Sequence, residues 1–189
     1  ANNKIDAYLD QSIDYHVAYD PETGEVTSTA TVTLTNRAPA DGLPRSVIGF
    51  NRRDVTRENP PPPGTNRMLL SLYTPLDLEA ARIDGQATAV ESGLELGVRV
   101  YGFFVDIGPG ASVTAQFDLH GFVRIARYDL AVAPQPLAGA QQVTITLEGT
   151  PGWRAESVDG GQADPDGTIG ARLRQAIDHR LIVRFAPAT

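Results

Sequence analysis

Apolar and polar residues alternate with a period of two along most of this chain. Ile13, Tyr15, Val17 and Tyr19 alternate with Asp14, His16 and Ala18. Val26, Ala30, Val32 and Leu34 alternate with a threonine run from Thr27 to Thr35. The same pattern returns over residues 113–119, 128–132, 143–147 and 181–185. A period of two places successive side chains on opposite faces of a strand. The pattern therefore predicts strands with one buried and one wet face, paired in antiparallel sheets that pack face to face. Threonine suits the wet face of a pleated sheet.

The connections agree. The sequence DPETGE at 20–25 reads as a tight hairpin loop, with Gly24 free to take positive φ. Asp84-Gly85 is a strong hairpin turn signal, and residues 67–74 and 78–84 read as two strands paired through it. Turns this short leave no room for crossover helices. Only residues 3–11 carry helical spacing (Ile5, Tyr8, Leu9), enough for one or two turns. Gly102 falls where the alternation slips between Val98/Val100 and Phe103/Val105/Ile107, which predicts a β-bulge there. Four prolines, Pro60 to Pro63, keep the strand at 67–74 from extending backward, because proline cannot donate to a ladder. Residues 38–65 are then one long loop, of a length uncommon in compact domains.

The expectation is an all-β, immunoglobulin-like antiparallel sandwich assembly of about 11 or 12 strands with little helix. Residues 1–123 supply one sandwich, with a short N-terminal helical turn and the long loop. Residues 124–189 supply either a second small sandwich or an extension of the first.

Composition narrows the function. The 189 residues contain no cysteine, which removes disulfides, zinc ribbons, iron–sulfur clusters and cysteine nucleophiles. A formal charge of −7 repels a phosphate backbone, so nucleic acid is not an expected partner. Lys4 is the only lysine among 16 basic residues. No apolar run approaches the roughly 20 residues that cross a bilayer, so the expectation is either a cytosolic chain or the soluble part of something longer.

No motif carries chemistry. There is no G-x-S-x-G elbow. His16, His120 and His179 lie far apart in no metal spacing, and the expectation is no catalytic residue and no cofactor. Asp159, Asp164 and Asp166 are weak calcium candidates; aligned as an EF-hand loop, ADPDG places Gln162 and Leu173 where carboxylates are needed. Arg45, Arg52, Arg53 and Arg57 in the long loop form either an anion or glycan contact or a solvated insertion. Trp153, outside the alternation, reads as a stacking platform or as a cap on the end of the sandwich.

Several segments resemble the C-terminal extracytoplasmic region of actinobacterial proteins carrying the domain of unknown function DUF 4012. They are NNKIDAYLDQSIDYHV, LPRSVIG, PPGTNRMLLSLYTPLDLEAARIDGQ, VYGFFVDIGPGASVTAQFDL and LAVAPQPL. The stretch PPGTNRMLLSLYTPL is the most particular. The resemblance runs from Asn2 to about Trp153. It implies a bacterial, membrane-anchored protein whose anchor lies upstream of Ala1, with this region on the extracellular face of the cell membrane. It implies no activity and transfers no catalytic residue. The function expected is a non-catalytic binding, spacer or interaction module whose partner is cell-wall glycan or another envelope protein. A carbohydrate-binding module, or an envelope glycan hydrolase or transferase using surface carboxylates, is the alternative.

Overall fold

The computed structural model describes residues 4–48, 61–133, 138–174 and 178–188. It is nearly all β. Helix is confined, among these residues, to a 3₁₀ turn at Ile5–Tyr8 and a single α turn at Arg45–Ile48.

Two long strands found the main sheet. β1 (Leu9–Tyr19) and β2 (Glu25–Asn36) pair antiparallel from Leu9↔Asn36 to Tyr19↔Val26. Their turn is built by Asp20. Its carboxylate accepts from the Glu22 N–H (2.9 Å) and the Thr23 hydroxyl (2.8 Å), while Gly24 takes φ +80°. β8 (Ser112–Phe122) pairs along the other side of β2. β4 (Asp77–Ile83) follows β8, and β5 (Gln86–Ala87) closes that edge through Asp84 (φ 48°) and Gly85 (φ 79°). Beyond β1 lie β10 (Gln141–Gly149), β13 (Ile169–Arg174) and β12 (Gln162–Ala163). The eight strands run β12-β13-β10-β1-β2-β8-β4-β5. Strands from residues 1–123 and from residues 124–189 thus share one sheet. The β1–β10 pair is parallel, Gln11↔Gln141 to Tyr19↔Gly149, and departs from the all-antiparallel expectation. The intervening chain is long enough to return β10 in the direction of β1, so no tight turn dictates its sense.

Two three-stranded sheets cover one face of this sheet. The first has the order β3 (Asn66–Thr74), β7 (Val98–Ile107), β6 (Glu91–Glu95). The second has the order β11 (Trp153–Asp159), β14 (His179–Pro187), β9 (Arg127–Val132). Phe103 of β7 stacks on Phe117 of β8 at 5.5 Å between ring centres. Tyr19 of β1 meets Tyr128 of β9 at 5.6 Å and Phe185 of β14 at 5.3 Å. The opposite face of the large sheet is wet. Threonines carry it, with Thr29 donating to Asp118 (3.2 Å) and Thr35 sharing a hydrogen bond with Ser112 (2.8 Å).

Two local expectations change. Residues 67–74 and 78–84 are strands but do not pair with each other. Pro75 and Leu76 carry the chain from one sheet to another, and the Asp84-Gly85 turn pairs β4 with β5 instead. No bulge occurs at Gly102, because β3 and β7 keep register from Asn66↔Ile107 to Thr74↔Arg99. The alternation does not slip there. Tyr101, Phe103, Val105 and Ile107 face the large sheet, and Phe104 lies on the opposite face at 59% exposure. Glycine is needed at 102 for space: a Cβ would stand 2.9 Å from the Leu70 carbonyl oxygen. The register does shift at Leu78/Ala80 and at Ala155/Ser157.

Candidate functional site

Only some of the residues singled out from sequence are described. Arg52, Arg53 and Arg57 lie outside the described residues, and of Arg45 only the backbone of its helical turn is described. Among the described residues no three histidines or carboxylates form a metal-binding group, so Asp159, Asp164 and Asp166 are not brought together as one. Asp166 instead accepts from the Thr168 N–H at 3.0 Å, which holds its carboxyl below the usual range. Trp153 is half-buried against the core at the first position of β11. His120 pairs with Glu25 (2.8 Å) and His179 with the Gly160 carbonyl (2.7 Å), each within its own sheet region.

What the fold does create is a groove. The two small sheets sit side by side on the large one without meeting, and a cleft of about 670 Å³ runs between them. Such a volume falls in the range of ligand sites. Its floor is the middle of the large sheet, including Ile13, Tyr15, Ala30, Val32 and Val143. One wall is β3 from Leu70 onward and the other is β9 from Tyr128 onward. Successive residues of each strand line it, so the backbone edges themselves face the cleft. β3 is paired only with β7 and β9 only with β14 among the described strands.

The groove explains an irregularity of burial. Ile13 and Tyr15 occupy the inward phase of β1, as Val17 and Tyr19 do, yet only the latter two are buried. Leu72 on β3, and Leu130 and Val132 on β9, are likewise inward and only half-buried. Several polar side chains of the groove have partners within the fold. Tyr15 donates to the Ser28 hydroxyl (3.1 Å). Burial, and then the neighbouring Tyr15, push the Tyr128 hydroxyl far up, so it stays protonated. Asp129 is the one carboxylate among the described lining residues. Arg180 grips it with Nε and Nη2, both at 2.7 Å, and Arg127 adds a bond at 3.0 Å. Those bonds hold its carboxyl below the usual range.

A second surface lies on the outward face of β3–β7–β6. Tyr73 and Phe104, 55% and 59% exposed, flank the small Ser71↔Gly102 pair. Tyr73 hydrogen-bonds Glu95 at 2.6 Å, and the Arg67 guanidinium sits 5.7 Å above the Phe104 ring. A further cleft, on the large sheet near Asp10, Arg37 and Arg174, is polar, and Arg37 is paired with Asp10.

No family model and no curated protein matches the chain. Solved structures do share its fold. Leukotriene A4 hydrolase from Saccharomyces cerevisiae superposes with a TM-score of 0.51 at 13% identity, over 93% of this chain and 29% of that one. The yeast enzyme in complex with bestatin gives 0.51 at 11%, over 94% and 28%. An M1 zinc metallopeptidase from Deinococcus radiodurans gives 0.48 at 15%, over 93% and 42%. The chain therefore spans less than half the length of these proteins. At such identity the likeness concerns the fold alone, an all-β sandwich-like arrangement.

Proposed function

We propose that this chain is a non-catalytic binding module of a bacterial cell-envelope protein, held at the outer face of the membrane, and that it works through the groove between its two small sheets. The observation that carries the reading is the half-buried inward face of Ile13, Tyr15, Leu72 and Leu130. Burying that apolar surface requires a partner. Chemistry on glycans would require two carboxylates at a cleft, whereas among the described residues lining this one Asp129 is the one carboxylate, and two arginines already clamp it. The extracellular location rests on the resemblance to DUF 4012 proteins.

Tyr73 and Phe104 favour a second reading, a glycan platform. Two exposed rings on a flat sheet face, with Glu95 and Arg67 beside them, suit sugar stacking.

Retention of the labelled chain on isolated actinobacterial envelopes separates the two readings. The groove reading expects saturable retention that Ile13→Arg abolishes and that Tyr73→Ala with Phe104→Ala leaves intact. The reverse pattern gives the function to the platform. Release of the region by protease from intact cells checks the location, and protection until lysis would refute it.

A further inference from the structure

Edge strands are a hazard, because their free N–H and C=O groups template pairing with other chains. This fold blunts most of its edges. The large sheet ends in β5 and β12, each two residues long. β6 carries Glu91 and Glu95 and is exposed throughout. β11 is broken by the register shift at Ala155/Ser157. The β3 edge receives no such treatment: from Met68 to Thr74 it has no charge, no proline and no bulge. It stands in the groove opposite β9, whose Asp129 charge is offset by Arg127 and Arg180.

From this we infer that the groove binds an extended polypeptide segment of a partner protein by strand addition. The inference rests on the groove-binding reading above and names its ligand class. A row of backbone donors and acceptors stands on each side of an apolar floor, and a β-strand is the ligand whose own backbone complements such a row. The added strand continues a ladder that already exists, β7–β3 or β14–β9. One face of it meets the half-buried Ile13 and Tyr15, and the other faces solvent. The partner segment therefore alternates apolar and polar residues over about six positions, at ~3.3 Å per residue. It carries no required charge, because the one lining carboxylate is already neutralised within the fold. An acyl chain would fill the apolar floor but leave without a partner the row of amides that a strand would pair, which costs free energy once water is displaced.

Panning a phage-displayed library of random dodecapeptides on the purified chain tests the inference. Enriched peptides should alternate apolar and polar residues. Leu72→Arg and Leu130→Arg, both at half-buried positions, should each weaken the resynthesised peptide about tenfold or more while the melting temperature holds. N-methylation of the peptide's amides should abolish binding at alternate positions and spare those between. No enrichment, enrichment without alternation, or indifference to N-methylation overturns the inference. So does binding of a fluorescent long-chain fatty acid, without peptide enrichment, that the same variants expel. Self-association that these variants abolish gives the groove to a second copy and overturns it as well. If envelope retention still depends on Ile13 after such a result, strand addition alone falls and the binding-module reading stands.

Discussion

Removing one oxygen from Tyr19 tests how the groove's second wall is held. The side chain is fully buried at the end of β1. Its hydroxyl donates to the Arg124 carbonyl at 2.6 Å and accepts from the Arg127 N–H at 3.0 Å. These bonds fix the connection by which the chain leaves β8 and enters β9. Burial raises the Tyr19 pKa against the effect of the Arg127 N–H, so the donor keeps its proton. Tyr19→Phe preserves the ring contacts with Tyr128 and Phe185 and deletes only the two hydrogen bonds. A net bond contributes about 1 kcal/mol, and a buried group left without a partner costs ~1–3, so the expected loss is about 2–3 kcal/mol. At roughly 3 °C per kcal/mol for a chain of this length, the melting temperature falls by about 6–9 °C. Urea unfolding followed by Trp153 fluorescence, alongside calorimetry, reads both quantities. A loss under about 0.5 kcal/mol, the scale of an ordinary surface change, would refute the tether.

Phe103→Ala should cost about 3–5 kcal/mol, because it opens a cavity against Phe117, whereas truncating its neighbour Phe104 should cost about 0.5 or less; paired urea melts decide. Gly139→Ala places a Cβ 1.8 Å from the Leu9 carbonyl oxygen and should destabilise by about 3 kcal/mol, with a chemical-denaturation midpoint as the readout. On acidification, stability should hold above the ordinary carboxylate pKa of about 4 and fall below it. Arg180 and Arg127 depress Asp129, and for Asp118 hydrogen bonds from Gln116, Arg82 and Thr29 outweigh the opposing effect of burial. Both folded pKa values lie under the unfolded ones, so protonation favours unfolding. Asp129→Asn should flatten the low-pH slope by about 0.5–1 kcal/mol at low salt and less at high salt, as seen in melts across pH.

The strands were legible because period-two alternation is local, and so were the two turns built by Gly24 and by Asp84-Gly85, where positive φ has its own sequence signature. The groove was not. Ile13 and Tyr15 alternate just as Val17 and Tyr19 do, and alternation identifies the inward face without saying whether another layer covers it. That is decided by where β3 and β9 stop, which depends on Pro75–Leu76 and on the Tyr19 tether far away in sequence. Phe104 was hidden for the converse reason: it sits beside Phe103 in an apolar run, and only the unbroken β3–β7 register turns it outward. The parallel β1–β10 pair had no local signal either, since a parallel partner arrives through a long connection. Asp159, Asp164 and Asp166, which stood out by composition, form no metal-binding group among the described residues, because a charged residue marks a solvated position more reliably than a site.

Backbone amide exchange of the unliganded chain tests the open groove most directly. With β3 and β9 as unpaired walls, alternate amides over Leu70–Thr74 and Tyr128–Val132 should exchange rapidly, while those bonded to β7 and β14 stay protected. Uniform protection along both strands would mean that the edges already have partners, and would contradict the account.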